Sequence, residues 1–263
     1  MEILFLGTGG GRFNLIRQVR RTAGFCINGA LSIHIDPGPG ILPAAAAYKH
    51  DLSKTDVIVV THNHIDHMND ANLIIESMAD GWKVKKKGML IGSSSVVEGD
   101  ENGDKGVSKY HLGRMESHEV AQAGKKIAIS IGGKTALLLP TRVKHDDRTG
   151  FGFVLEMDGA RIGYTSDTEY FEGISGQYRG CDVLVANCLK PKKDEIPGHL
   201  YSGAVARLFS EAEPRLGVLT HLGMSMVKAG PEKEAKKIKK ESGIRAIAAK
   251  DGMKIDAKSL KIS

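Results

Sequence analysis

Apolar positions along this chain gather in short runs of strand length more often than in long helical stripes. EILFLG at residues 2–7 is one such run, closed by glycines, and predicts a strand. GFCIN and LSIHID predict a hairpin with Asn28-Gly29 at its turn, a pair that tolerates the left-handed backbone a tight turn requires. DPGPG stops the second of these strands. The Ala-rich stretch 41–50 reads as a helix, DVIVV at 56–60 as a buried strand, and NDANLIIESMA as a helix capped by Asn69 or Asp70. GMLIG, KIAISIG and TALLLPTRV read as strands, and GFGFVLEMDGARIGYTSD as a second hairpin turning at Asp158-Gly159. In the last third strand and helix alternate: DVLVANC, the helix SGAVARLFSEA, the strand RLGVLTH, and the charged helix PEKEAKKIKKESG, with Pro at its start and Gly at its end. IRAIAA and KIDAK close the pattern as short strands. Hairpins first and strand–helix alternation later predict an α/β layered fold with mixed sheets.

Residues 93–120 break the pattern. They are polar, contain glycines and lack apolar periodicity, so they are expected to form a long loop, either a lid over a site or a surface excursion.

Composition narrows the class. With 263 residues, 41% hydrophobic and 26% charged, the chain is long enough to bury a sizeable core, and no linker or repeat divides it. One domain over residues 1–263, with the 93–120 loop inserted, is the expectation. A formal net charge of +6 biases the surface mildly toward anionic partners. The three cysteines, Cys26, Cys181 and Cys188, cannot all pair and lack zinc-finger spacing, so reduced thiols are expected. The N-terminal apolar stretch is too short for a signal peptide, and no segment approaches the ~20 apolar residues of a membrane span. The expected location is the cytoplasm, with no membrane partner.

The chemistry concentrates in THNHIDHMND, residues 61–70, where DVIVV ends. His62, His64, Asp66 and His67 crowd into six residues that are neither core nor turn-forming by type. Residues two apart there can converge on one cation while the next pair reaches a second. Imidazole and carboxylate suit zinc, and also manganese or iron. Three further candidates each follow an apolar strand: His145 after LLLPTRVK, Asp167 after RIGYTS, and His221 after LGVLT. Strand ends are where scaffolds place site residues. GTGGG at 7–11 lacks the spacing of a nucleotide-phosphate loop and reads as a tight turn. The run WKVKKKG, with Lys83, Lys85, Lys86 and Lys87, could touch a phosphate backbone, though charge runs are usually solvated faces.

FLGTGGGRF, LSIHIDPGPG, THNHIDH, His145, YTSDT and THLG, in this order over nearly the whole chain, resemble the metallo-β-lactamase superfamily of metal-dependent hydrolases. The resemblance implies an αββα four-layer sandwich with the metals at one edge. By carry-over, His62, His64 and His145 would bind one divalent ion, and Asp66, His67 and His221 a second. Asp167 would bridge them, and Asp36 would support the cluster from behind. Zinc is the first expectation for both ions. GHLYSGAVARLF resembles the histidine-bearing segment of the branch that contains ribonuclease Z and the bacterial cyclic phosphodiesterases. There His199 would be a proton donor that binds no metal, and Asp66 would also serve catalysis. The implied reaction is hydrolysis of a phosphodiester in a cyclic nucleotide, a small diester or an RNA end. Two alternatives stand beside it: hydrolysis of a carboxylic ester, lactone or thioester, and nucleic-acid binding without turnover. MNDANL after the motif departs from the glycine-rich glyoxalase and thioesterase pattern, and no Gly/Pro-rich transfer-RNA arm is present. Expected partners are the substrate, a nucleotide or RNA among them, and a second copy of the chain as a homodimer.

Overall fold

A computed structural model describes residues 1–81, 83–193 and 197–263. The first sheet takes β1 (Glu2–Phe5), β2 (Phe25–Asn28), β3 (Ser32–Ile35), β4 (Val57–Val60), β5 (Met89–Gly92) and β6 (Ser117–Val120). The second takes β7 (Ile127–Ile131), β8 (Lys134–Arg142), β9 (Phe151–Met157), β10 (Ala160–Tyr164), β11 (Val183–Lys190), β13 (Leu216–Thr220) and β14 (Ala246–Ala248), with β12 (Leu200–Tyr201) paired to β11. The last strand, β15 (Lys254–Asp256), returns to the first sheet beside β1. Both sheets are mixed: antiparallel hairpins at one side run into parallel strands at the other.

The helices are α1 (Arg12–Arg17), α2 (Ile41–Ala47), α3 (Ile65–Met68), α4 (Ala71–Met78), α5 (Ser94–Val97), α6 (Lys109–Leu112), α7 (Ser202–Ala212), α8 (Met224–Ala229) and α9 (Pro231–Ser242). Successive strand residues point to opposite faces, and in β1 and β4 both faces are buried. Ile3, Phe5, Val57 and Val59 meet Phe153, Ile162 and Val218 of the second sheet in the central core. Leu4, Ile58 and Val60 pack outward on Ile41, Ala44, Ile74 and Ile75 of α2 and α4. That is why these strands are apolar without alternation. On the far side Leu184 and Leu219 pack on Val205, Phe209 and Ile238 of α7 and α9. The result is the expected αββα sandwich.

Local chemistry explains several elements. Asp158 and Gly159 both have positive φ, 52° and 71°, so the β9–β10 hairpin closes on two residues in the conformation their types favour. Gly243 ends α9 in the left-handed conformation, and Pro231 opens it. Asp70 precedes α4, but its carboxylate accepts from the Gly40 and Ile41 N–H groups (2.8 and 3.0 Å) and thereby satisfies the start of α2.

Residues 93–120, expected as a polar loop, hold α5, α6 and the strand β6. Val96, Val97, Val107 and Met115 fill the outer-face core. They sit at no regular period because each plugs a separate gap. β6 is an edge strand whose side chains are mostly exposed, so it carries no alternation to read. The basic run begins at Trp82, outside the described residues. Lys83 pairs with Asp80 on the surface (2.8 Å), and Lys87 bonds the Ser53 carbonyl.

Candidate metal centre

Strands of both sheets end at the same rim, and most of the candidate residues lie just beyond their C-terminal ends. β4 leads to Thr61 through His67, β8 to His145, β10 to Asp167 and β13 to His221. Burying strand residues such as Val59 and Val60, both 0% exposed, stabilises the fold by ~1.5–3 kcal/mol each and fixes the strand ends from which these polar residues project. His221 itself sits at φ 54°. Its ring fits only because Gly10 has no side chain: a Cβ there would lie 2.2 Å from His221 Cγ and Cδ2.

The ring orientations follow from their outer partners. The Thr61 hydroxyl donates to Asp36 Oδ2 (2.9 Å) and so accepts from His62 Nδ1–H (3.1 Å), leaving His62 Nε2 bare and facing the site. His67 Nδ1–H donates to Asp36 Oδ2 (2.9 Å), and His145 Nδ1–H to the Gly198 carbonyl (2.9 Å). Each therefore turns Nε2 inward, the orientation metal-ligating histidines adopt. Asp36 also accepts from the Thr61 N–H (2.8 Å) and the Tyr164 hydroxyl (2.8 Å), so it braces the cluster from behind as the resemblance implied.

Two groups of donor atoms form, each closing to within 4.8 Å: His62, His64, His145 and Asp167, and Asp66, His67 and His221. Asp167 Oδ2 lies between them, 3.9 Å from His62 Nε2 and 3.4 Å from the Nε2 atoms of both His67 and His221. His199 is the ninth expected residue, after the ligand candidates and Asp36. Its Nδ1 lies 3.5 Å from Asp167 Oδ2, and with Asp167 and His221 it forms a third such group. All the residues expected from sequence meet at this rim.

The donor set fits divalent cations. His62 Nε2, which faces the site, is buried without a hydrogen-bond partner, which is rare for a polar atom in an interior. Burial disfavours charge on His67, yet Asp167, Asp36 and Asp66 outweigh it and hold its pKa well above the ordinary value. Burial opposes the charged carboxylates too, but His67 and His221 pull Asp66 far down, and His221 and His67 do the same to Asp167. His62 is pushed well down by burial and by His67. Asp66 and Asp167 face the buried space between the histidines, with Asp36 behind His67, and favour positive charge there.

Sequence reading missed several supporting groups. Asn187, in β11, donates to Asp167 Oδ1 (2.7 Å) and to the Tyr164 hydroxyl oxygen (3.1 Å). The Gly11 N–H donates to Asp66 Oδ2 (2.8 Å), which gives the GTGGG turn its place. Asp146 reaches His145 Nε2 (2.8 Å) and His64 Nε2 (3.4 Å) while itself largely exposed. Only its position next to His145 hinted at this. A cavity of about 1160 Å³ opens over the cluster, lined by His64, Asp66, His145, Asp167, His199 and His221, and also by Phe13, Leu15 and Ile16 of α1 with Met224.

The family model described as a beta-lactamase superfamily domain matches residues 32–222, which include every candidate ligand. An uncharacterized protein of Methanocaldococcus jannaschii, MJ1374, is 36% identical over 97% of this chain and 95% of its own length. Among solved structures, the metallo-beta-lactamase fold protein YhfI of Bacillus subtilis superposes with a TM-score of 0.75 at 20% identity, covering 96% of this chain and 98% of its own. A diphosphatase from the PhnP family gives a TM-score of 0.67 at 19% identity, covering 97% and 98%. Fold, matched residues and the donor groups at the rim agree: this chain belongs to the metallo-β-lactamase superfamily and is a metal-dependent hydrolase.

Proposed function

We propose that the chain is a phosphodiesterase that carries two divalent ions. His62, His64 and His145 would hold one, Asp66, His67 and His221 the other, and Asp167 would touch both. Bound there, such ions supply Lewis acidity toward a phosphoryl group and lower the pKa of water enough to make it a nucleophile near neutral pH. The rest of the reaction falls to the chain. A phosphodiester with a ribosyl or alkyl leaving oxygen still needs a proton at that oxygen, because the departing alkoxide is strongly basic.

The observation that carries the reading is His199. The two ligand groups proposed above do not include it, and its ring lies with centroids 5.0 Å from His145 and 5.9 Å from His221, at the wall of the cavity. Burial lowers its pKa to about 4, with Asp167 working the other way and His221 and His145 adding to the drop. An anionic phosphoryl oxygen beside the ring favours the imidazolium as Asp167 does, so the substrate itself charges the acid. The apolar wall of Phe13 and Ile16, exposed at 67% and 75%, gives a nucleobase or similar flat group a surface to cover. That the PhnP-family protein of the same fold is a diphosphatase supports chemistry at phosphorus.

The test is a panel of cyclic nucleotides, nitrophenyl and alkyl phosphodiesters, nitrophenyl esters, lactones and thioesters, run on protein loaded with zinc, manganese or iron. Turnover of diesters with little on carboxyl substrates is expected. Cleavage of esters, lactones or thioesters with the diesters left intact would overturn the reading in favour of an acyl hydrolase.

A further inference from the structure

A second cluster of metal-binding side chains lies on the outer face of the first sheet, apart from the rim. Cys26 on β2 and His34 on β3 are cross-strand partners in register. His50 follows α2 and folds back over them. Cys26 Sγ lies 3.1 Å from His34 Nδ1 and 3.3 Å from His50 Nε2, and the three donor atoms all fall within 4.8 Å of one another. Cys26 and His34 are wholly buried, and Cys26 packs in the apolar cluster with Leu4, Leu6, Ala44 and Ala45. His50 is only partly buried, so the cluster reaches the surface on one side.

We infer that Cys26, His34 and His50 form a separate site for a single thiophilic cation, zinc foremost, which ties the β2–β3 hairpin to the end of α2. The ring of His34 is already set for this. Its Nε2–H donates to the Ala23 carbonyl (3.2 Å), which leaves Nδ1 as a lone pair aimed at the sulfur. Outer hydrogen bonds of this kind fix the tautomer of metal-ligating histidines. His50 is held by its backbone N–H on the Ala45 carbonyl (2.8 Å), and its Nε2 turns inward to a sulfur atom although the ring reaches the surface. Sulfur is a weak hydrogen-bond partner, so two imidazole nitrogens converging on it gain little as hydrogen bonds. Around a tetrahedral zinc, with Zn–S of ~2.3 Å and Zn–N of ~2.0–2.1 Å, sulfur and nitrogen stand about 3.5 Å apart. The cluster needs to open by a few tenths of an ångström. Water completes the fourth position from the side of His50. Cys26 and His34 are wholly buried, which leaves no room for a substrate beside the cation, so the site is structural. Binding displaces the thiol proton to solvent, since zinc takes the thiolate.

Cobalt(II) is the probe. The rim offers only nitrogen and oxygen donors, so thiolate-to-cobalt charge-transfer absorption in the near ultraviolet cannot come from it, and its loss in Cys26→Ser assigns it. Titration of the full chain should produce that band. It should persist in a His62→Ala/His64→Ala variant and in Cys181→Ser, and vanish in Cys26→Ser. In His50→Gln, which changes a partly exposed residue and leaves the core intact, the band should need at least tenfold more cobalt. Zinc at a hundredfold over the Kd of this site should raise the Tm of the rim variant by about 5–10 °C more than it raises that of the same variant carrying Cys26→Ser. The outcome that overturns the inference is wild-type protein without a charge-transfer band, or a band that survives Cys26→Ser. The trio is then a hydrogen-bonded core contact. Neither result depends on the reaction at the rim.

Discussion

Gly10→Ala isolates the second ligand group from the first by a steric argument alone. The added methyl would sit 2.2 Å from His221 Cγ and Cδ2 and 2.4 Å from Nδ1, where ordinary contact begins at 3.4 Å, so about 1.2 Å of movement is required. The backbone cannot easily supply it. The Gly10 N–H bonds the Leu222 carbonyl (3.3 Å), the Leu222 N–H bonds Thr8 (2.8 Å), and the Gly9 N–H bonds Arg21 (2.9 Å). Gly9 has no slack either, because a Cβ there would lie 1.8 Å from Asn14 Nδ2. The ring of His221 must therefore move. Metal–ligand distances tolerate only ~0.2 Å, so an ångström removes His221 from coordination. Asp66 and His67 remain, while His62, His64 and His145 are untouched. Elemental analysis after dialysis should give one retained equivalent where the proposed two-ion wild type should keep two. A misplacement of this size costs about 10²-fold in rate on a phosphodiester. Gly176→Ala is the control, since nothing lies within 4 Å of its added carbon. Two retained equivalents and near-normal turnover in Gly10→Ala, with circular dichroism unchanged, would refute the reasoning.

His199→Ala should keep both metals and lose ~10²–10⁴ in rate on an alkyl or ribosyl diester, and much less on a nitrophenyl diester, whose leaving group needs no proton; equal losses on both, or lost metal, would reassign the residue. Asn187→Leu removes the donor to Asp167 Oδ1 while keeping the side chain's bulk, and should weaken metal binding by ~10–100-fold in a competition titration with a chelator. Unchanged affinity would leave Asn187 a packing residue. Hydrogen bonds from Ser175 and Tyr170 and then from Arg207 lower the Glu211 carboxyl from 4.5 to about 2. A folded-state pKa below the unfolded one contributes stability above pH 4.5 that is lost as pH falls through about 2. Glu211→Gln should therefore lower the urea midpoint near neutrality, and the gap to wild type should close across that window; a gap independent of pH would mean packing, not charge, is responsible.

The strands and the first ligands were legible in the sequence because their determinants are local. VIVV, residues 57–60, is apolar at every position because both faces of β4 are covered, and the hairpin at Asp158-Gly159 needs only two residues that accept positive φ. His62, His64, Asp66 and His67 are visible because they crowd one turn at a strand end. The short helices α1, α3 and α8 escaped notice, since four to six residues complete too little of a helical period to register. Residues 93–120 looked like a loop because Val96, Val97, Val107 and Met115 are spaced by the gaps they fill, a property of the partner surface. What only the tertiary structure decided is which distant residues share a point in space. The parallel pairing of β10, β11 and β13 sets Asn187 behind Asp167, and the rim sets Gly10 against His221 across more than two hundred residues of chain. The register of β2 on β3 likewise puts Cys26 beside His34, and the turn after α2 brings His50 to them. No local propensity encodes these meetings. They arise because each sheet face must bury its apolar side chains, and only one register does so for both sheets at once.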